Sequence, residues 1–183
     1  MAILKIARMG HPVLKRRADD VADPTAADVR RLVADMLDTL RDAEGAGLAA
    51  PQVHVPVRLV IFQIPPHRAS GSEGDTPTDL IVLINPAVEP LTDERKLGWE
   101  ACLSVPGLMG AVPRFTQIRY RAVGLDGQPI ERMASGFHAR VVQHECDHLE
   151  GILFPMRMTD LSLLGYVEDM QKAFAEAKDV ARE

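Results

Sequence analysis

The sequence from 137 to 149 reads Phe137-His138-Ala139-Arg140-Val141-Val142-Gln143-His144-Glu145-Cys146-Asp147-His148-Leu149. Its apolar residues recur at helical spacing, and its second half has the pattern His-Glu-x-x-His. In a helix, His144 and His148 lie about one turn apart, so both imidazoles project from one face and can bind the same metal ion. Glu145 lies beside them, where it can take a proton from a water acidified by that ion. The segment therefore predicts a helix that binds a metal ion for hydrolysis.

Length and composition bound the class of protein. The chain has 183 residues, of which 46% are hydrophobic and 26% charged, and its net charge is −5. These values fit one domain with a sizeable core, so we expect a single catalytic domain over residues 1–183. The acidic balance disfavours nucleic acid as a partner, and no apolar run is long enough to span a membrane. Since the N-terminus lacks the layout of a signal peptide, we expect a cytoplasmic protein, and we expect a monomer.

Two further helices are predicted from apolar residues that recur at three- and four-residue steps. The first runs from about Val29 to Leu40. Asp23 or Thr25 can cap its start, and Gly45 can end it. The second is an amphipathic helix at the C-terminus, from about Leu161 to Val180.

Short runs rich in branched residues predict four strands. They are Arg58 to Ile64, Leu80 to Ile84, Gln117 to Leu125 and Ile130 to Met133. Asp126-Gly127 is a strong hairpin signal between the last two. Pro65 to Thr78, which contains His67, is rich in proline, glycine and serine and predicts a mobile surface loop. Together these elements predict an α+β fold, with mostly antiparallel sheets wrapped around a central metal-binding helix and with a C-terminal helix.

A catalytic metal site normally has a third protein ligand and one open position. One class of His-Glu-x-x-His enzyme requires a histidine where this chain has Phe154, so that class is excluded. A thermolysin-like zinc peptidase takes a glutamate about twenty residues downstream, and Glu168 keeps this alternative open by its spacing. Upstream, Cys102 is the better candidate, because a thiolate and two imidazoles make a tetrahedral set with one vacancy. Cys146 is expected to face away from the metal as a small buried hydrophobe.

Three separated motifs resemble those of the peptide deformylase family, in the family's order. Residues 45–52, Gly-Ala-Gly-Leu-Ala-Ala-Pro-Gln, are similar to its G-x-G-x-A-A-x-Q motif. Residues 100–104, Glu-Ala-Cys-Leu-Ser, are similar to E-G-C-L-S, and residues 143–148 are similar to Q-H-E-x-D-H. The resemblance covers nearly the whole chain. Segments 113–115 and 135–140 look closer to the organelle-type branch of the family than to the commonest bacterial form.

The resemblance implies a metal-dependent hydrolase that removes the N-formyl group from the initiator methionine of nascent polypeptides and releases formate. It implies that one divalent ion is held by Cys102, His144 and His148. The ion would be Fe(II), with zinc, nickel or cobalt able to substitute. The charges of the terminal helix suggest a transient contact with the ribosome. A non-catalytic protein that merely retains the fold is disfavoured, because all the motif residues are present.

The resemblance also implies roles for residues around the metal. Glu145 would deprotonate the water and then protonate the leaving amine. The amide of Gln52 and the backbone N–H of Leu103 would stabilise the oxyanion formed on the formyl carbonyl. The glycine-rich stretch Gly45, Ala46 and Gly47 suits close approach to an extended peptide substrate.

Two positions depart from the family pattern. Ala101 replaces the usual glycine before the metal cysteine, outside the ligand set, and we expect activity to survive this change. Arg140 lies one turn before His144, where common bacterial members have an apolar residue; it is either a structural arginine paired with an acidic neighbour or a polar element of the substrate pocket. We hypothesise a pocket entrance made more polar by Arg140 and lined by Phe137 and Val141.

Overall fold

The structure of the protein, a computed structural model, describes residues 2–180, with side chains described through residue 176. Within that range it contains three α-helices: α1 (Ala27–Asp42), α2 (Gly136–Leu149) and α3 (Val167–Val180). The same range contains eight strands: β1 (Gly47–Ala49), β2 (Leu59–Ile64), β3 (Thr78–Pro90), β4 (Arg95–Cys102), β5 (Val105–Phe115), β6 (Gln117–Val123), β7 (Pro129–Ser135) and β8 (Leu164–Tyr166). None of these helices has the length and apolarity that crossing a membrane requires.

Two antiparallel sheets surround α2. The larger sheet has the strand order β1-β2-β3-β6-β7, and the smaller sheet has the order β4-β5-β8. The pairings between neighbouring strands of the described chain are all antiparallel. Ten of the 14 residues of α2 are buried, as expected of a helix enclosed on all sides rather than of a surface helix. The predicted α+β class, with sheets around a metal-binding helix, is confirmed.

The larger sheet is covered on both faces, and strand β2 shows why. Side chains alternate between the two faces of a strand. Val60, Phe62 and Ile64 pack in the hydrophobic cluster that contains the apolar residues of α2. Leu59 and Ile61 pack in a second cluster, which contains the buried residues of α1. The uninterrupted apolar run of β2 is therefore the signature of a strand buried on both faces.

The hairpin formed by β4 and β5 is absent from the predicted elements. Glycine and proline interrupt its apolar alternation at Gly98, Gly110 and Pro113, and such residues weaken a strand signal. The register is nevertheless continuous from Arg95 to Ala101 and shifts only at Cys102. Pairing between the two strands, rather than the propensity of either one, stabilises this element. By contrast, the predicted hairpin at Asp126-Gly127 does join β6 to β7.

The predicted span of α1, about Val29 to Leu40, lies within the observed helix, but its predicted capping residues are wrong. The helix begins at Ala27, and the residue before it makes no side-chain capping hydrogen bond. Asp23 instead accepts hydrogen bonds from the backbone N–H and hydroxyl of Thr25, 2.9 and 2.7 Å away, which closes a local turn. After the helix, the left-handed residue is Glu44, with φ of 50°, rather than Gly45.

The predicted start of the C-terminal helix is also wrong, because α3 begins at Val167. Leu161–Leu163 form a 3-10 turn, and Leu164–Tyr166 form β8, which pairs with β5. Gly165 lowers the helical propensity of this stretch, and pairing with β5 satisfies its backbone instead. Of the residues predicted for the apolar side, Val167, Met170 and Phe174 do lie on α3.

The loop between β2 and β3, predicted to be mobile, is attached to the start of α2. Asp75 is only 2% exposed, and its carboxylate accepts a hydrogen bond of 3.0 Å from the backbone N–H of His138. The backbone N–H of Ser135 donates to the carbonyl of Gly74. His67, at the outer part of the loop, is exposed as predicted. The loop therefore caps the metal-binding helix.

Candidate metal centre

Strand β4 and helix α2 bring three ligand atoms together. Cys102 is the last residue of β4, and its Sγ lies 3.3 Å from Nε2 of His148. The ligand atoms of Cys102, His144 and His148 all lie within 4.8 Å of one another, and this is the only such group of three among the described residues. All three residues are at least nine-tenths buried. The three predicted metal ligands therefore converge on one point.

The geometry of the three ligands fits a divalent metal ion. In a tetrahedral site, metal–sulfur and metal–nitrogen bonds of about 2.3 and 2.0 Å place sulfur and nitrogen about 3.5 Å apart. The observed 3.3 Å between Cys102 and His148 is close to that separation. Beside the ligands, Oε2 of Glu145 is buried without a hydrogen-bond partner, as expected of a group that faces an ion and its water.

The downstream ligand of the peptidase alternative lies elsewhere. Glu168 is exposed in the first turn of α3 and does not belong to the described metal-ligand group. Phe154, which stands at the histidine position of the other protease class, stacks against the His144 ring at 6.4 Å between centroids. Cys146 packs against the core cluster, in agreement with the prediction that it faces away from the metal.

Glu100 orients His144. Its Oε2 lies 2.8 Å from Nδ1 of His144, which leaves Nε2 to face the metal. Burial raises the pKa of Glu100, but hydrogen bonds from His144 and Arg114 outweigh burial, and the pKa falls to about 2. Glu100 is therefore a carboxylate at neutral pH, and it fixes the tautomer of the ligand.

A buried ion-pair network supports Glu100 and was not predicted. Arg114 donates from Nε and Nη2 to the two oxygens of Glu100, at 2.9 and 3.0 Å. Its third nitrogen contacts Asp147, at 2.5 Å, and Asp147 also binds Arg157. The sequence feature that could have predicted this network is Arg114 itself, a charged residue within a strand that is otherwise mostly apolar.

Glu145 lies against Gly47. Glu145 is 5% exposed, and burial raises the pKa of its carboxyl to about 7, with the charge of His144 acting in the opposite direction. A Cβ at Gly47 would collide with the Glu145 carboxylate. The predicted need for glycine in this stretch is thus a need for space beside the carboxylate.

Gln52 is fixed at both ends of its amide. Its Oε1 accepts a hydrogen bond of 2.8 Å from the backbone N–H of Ala49. Its Nε2 donates to the hydroxyl of Ser104 at 3.1 Å and lies 3.6 Å from Sγ of Cys102. The amide N–H groups therefore point toward the metal ligands, and the residue is only 2% exposed.

A cleft of about 610 Å³ leads to these groups. Of the twelve predicted site residues, eleven line it, and His148 lies behind them. The lining residues that were predicted are Gln52, Cys102, Leu103, His144, Glu145, Gly45, Ala46, Gly47, Phe137, Arg140 and Val141. Ala101 also lines the cleft, outside the ligand set. Lining residues that were not predicted include Arg68, Trp99, Met109 and Val167.

Arg140 directs its guanidinium into the protein wall. Nη1 donates to Oε1 of Glu100 at 2.8 Å and to the carbonyls of Gly98 and Val112. Nη2 donates to the carbonyl of Lys96 at 2.7 Å. The side chain borders the cleft, yet these donors are engaged by protein acceptors. The pairing of Arg140 with an acidic neighbour is confirmed, and its role in the substrate pocket stays a prediction.

Buried metal ligands beside an unpaired carboxylate define the class of protein as a metal-dependent hydrolase. Comparisons narrow the class, since the family model of polypeptide deformylase matches residues 3–163. Peptide deformylase 1 of Bordetella pertussis is 50% identical over 164 residues, covering 89% of this chain and 92% of the relative. Peptide deformylase 2 of Ralstonia nicotianae is 48% identical over 166 residues, covering 91% and 93%.

Solved structures agree. The class I type b peptide deformylase from Acinetobacter baumannii, bound to Met-Ala-Ser, superposes with a TM-score of 0.78 at 34% identity, covering 86% of this chain and 99% of that one. The peptide deformylase from Thermotoga maritima gives a TM-score of 0.77 at 28% identity, covering 87% and 100%. The chain belongs to the peptide deformylase family, metal-dependent enzymes that remove the N-formyl group from nascent peptides. The predicted activity is confirmed, and the peptidase alternative is not supported; the organelle-type branch stays a prediction.

Proposed function

We propose that this chain deformylates the initiator methionine of nascent polypeptides at the end of the cleft, with Cys102, His144 and His148 as metal ligands. The observation that carries the proposal is the convergence of these ligands with the buried, unpaired carboxylate of Glu145. The Acinetobacter baumannii relative binds Met-Ala-Ser, and we propose that the cleft here takes the same kind of peptide.

The substrate peptide lies extended along the edge of the larger sheet. Strand β1 is one of the two edge strands of that sheet. Gly45 and Ala46 before it, and its first residue Gly47, border the cleft. An extended peptide can add to such an edge through backbone hydrogen bonds. The methionine side chain then packs against Phe137 and Val141 of α2.

The chemistry is divided between the ion and the protein. When bound, the ion supplies Lewis acidity, which polarises the formyl carbonyl and makes water more acidic. Glu145 accepts the proton of the attacking water and returns it to the leaving amine, so formate and a free N-terminus are produced. The amide of Gln52 and the backbone N–H of Leu103 donate to the oxyanion, and a donor of this kind typically contributes about 10²–10³ in rate.

The finer assignments belong to the same proposal. Fe(II) is the resident ion, and zinc, nickel or cobalt can replace it, since a thiolate with two imidazoles accepts each of them.

Residues 1–183 act as one domain, as a cytoplasmic monomer. Helix α3, on whose surface Asp169 and Lys172 form an ion pair, makes the transient ribosome contact. Metal analysis after anaerobic purification tests the assignment of Fe(II), and the expected result is about one iron per chain.

Formate release tests the ligand set. Wild type, Cys102→Ala and Glu168→Ala are assayed anaerobically with formyl-Met-Ala-Ser. The proposal predicts formate from wild type, loss of at least about 10²-fold in Cys102→Ala, which removes a metal ligand, and no change in the control Glu168→Ala. Sensitivity at Glu168, or an active Cys102→Ala variant, would overturn the ligand assignment.

A further inference from the structure

Arg68 is a cation at the cleft that the mechanism does not use. It lies in the loop between β2 and β3, it is exposed, and it lines the cleft. Arg140, the other arginine of the lining, is paired with Glu100. Among the side chains described through residue 176, no carboxylate lies within salt-bridge distance of Arg68. Its charge is therefore available to a ligand in the cleft.

The backbone around Arg68 is fixed. The N–H groups of Arg68 and Ala69 donate to the carbonyl of Pro65 at 3.0 and 3.2 Å. Ala69 packs against the core cluster that includes α2. Ser70 donates through its N–H and its hydroxyl to Asp75, the residue that caps α2. The position of Arg68 beside the cleft thus follows from the fold, although its side chain is exposed.

The guanidinium lies over the wall of the proposed methionine pocket. Its Cζ is 4.2 Å from the ring centroid of Phe137, which is a cation–π contact. Of the two acids in the loop, Asp75 is engaged by Ser70 and by the N–H of His138, and Glu73 forms no described ion pair with Arg68. Glu44 also lines the cleft, but it forms no described ion pair with Arg68. A positive charge therefore lies beside Phe137 in the lining of the cleft, next to the proposed methionine pocket.

We infer that Arg68 is a specificity-determining residue that favours an acidic side chain at the second or third position of the formylated peptide. The inference rests on the proposed function, because it requires the methionine side chain to lie against Phe137. An arginine held by an aromatic ring can accept a carboxylate without first losing much side-chain freedom. Ion pairs at such exposed positions contribute little free energy and are screened by salt. We therefore expect peptides with Asp to be preferred over peptides with Asn by about three- to fivefold at low ionic strength.

The experiment compares kcat/KM for formate release from matched Asp and Asn peptides. The substrates are formyl-Met-Asp-Ser with formyl-Met-Asn-Ser, and formyl-Met-Ala-Asp with formyl-Met-Ala-Asn. Wild type is expected to prefer Asp at one of the two positions, by about three- to fivefold in low salt and less in high salt. Because the Asp-to-Asn ratio is taken within each variant, a general loss of activity or of folded protein cancels.

Three substitutions of Arg68 and one control variant test whether Arg68 causes the preference for Asp. Arg68→Met keeps an apolar contact with Phe137 and should bring the ratio to about one, and Arg68→Glu should invert it. Arg68→Lys should retain part of the preference. Arg31→Met, which removes an exposed arginine of α1, should behave as wild type. An Asp preference that is absent from wild type, or that persists in Arg68→Met, overturns the inference. Absence of formate from every peptide would instead overturn the proposed function on which it rests.

Discussion

Glu100 connects the metal ligand His144 to the buried Arg114 and the partly buried Arg140. Its two oxygens accept hydrogen bonds from His144, Arg114 and Arg140. The sequence motif around Cys102 contains Glu100, but the motif does not say what the carboxylate does. Its partners lie 14 to 44 residues away in the chain, so only the fold reveals them.

Replacing Glu100 should weaken metal binding, although Cys102, His144 and His148 all remain in place. In Glu100→Gln, His144 loses the charged acceptor that fixes its tautomer, and we expect metal affinity to fall about 10–100-fold. Competition with a chelator measures the change. Glu131→Gln, which disturbs an exposed ion pair with Arg121, should leave the affinity unchanged. Equal affinities of Glu100→Gln and wild type would show that Glu100 does not orient His144.

Arg140→Leu tests whether Arg140 contributes to the proposed methionine pocket. The change removes one of the two arginine donors to Oε1 of Glu100, leaving that of Arg114, and it removes the side-chain donor to three backbone carbonyls. We expect the free energy of unfolding to fall by about 2–4 kcal/mol, measured by denaturant titration beside Arg31→Leu. We also expect the selectivity for methionine over alanine at the first residue to change. Unchanged selectivity would contradict a role for Arg140 in the pocket.

At the scale of elements, helix α2 and strand β2 were predictable. The apolar residues of α2 recur at helical spacing, and β2 is a short apolar run rich in branched residues, which is typical of a buried strand. The hairpin of β4 and β5 and the short strand β8 were not, because their stability comes from pairing between distant segments. The attachment of the loop from 65 to 77 was not predictable either, because it also depends on a contact between distant segments. Its composition indicates mobility, whereas the contact of Asp75 with the start of α2 attaches it to the core.

Asp75→Asn should destabilise the protein in a pH-dependent way. Burial raises the pKa of Asp75, but hydrogen bonds from the N–H of His138 and from Ser70 outweigh it and lower the pKa below 3.8. A lowered folded-state pKa contributes stability above the unfolded pKa and loses it as pH falls through the folded value. We expect the free energy of unfolding of wild type to exceed that of Asp75→Asn by about 1–2 kcal/mol at pH 7. This difference should become progressively smaller below pH 4. Asp79→Asn, at an exposed position, is the control, and a gap that does not depend on pH would contradict the assignment.

At the scale of the whole molecule, the cleft lies between parts that are far apart in sequence. The stretch before β1 forms one side, α2 forms another, and the β4–β5 hairpin with the first turns of α3 forms a third. Gln52 and Arg68, the latter from the loop between β2 and β3, complete the lining. Trp99 of β4 packs against Phe174 of α3, with ring centroids 4.9 Å apart. The C-terminal helix is thereby attached beside the cleft.

The single tryptophan of the chain should report on peptide binding. Trp99 lines the cleft, and the chain has no other tryptophan. Titration with the product Met-Ala-Ser should therefore change its emission in a saturable way, whereas Ala-Ser-Met, which does not present an N-terminal methionine, should bind far more weakly. Calorimetric binding of Met-Ala-Ser with no change in emission would place the peptide away from Trp99.

The central claim is that Glu145 moves the proton for deformylation at the site of Cys102, His144 and His148. The most direct measurement is anaerobic formate release from formyl-Met-Ala-Ser by Fe(II)-loaded wild type and Glu145→Gln, with bound metal counted in both. We predict one formate for each Met-Ala-Ser formed by wild type, and a loss of at least about 10²-fold in Glu145→Gln, with one ion per chain retained. A metal-loaded Glu145→Gln variant as active as wild type, or cleavage of the Met-Ala bond without formate, would contradict it.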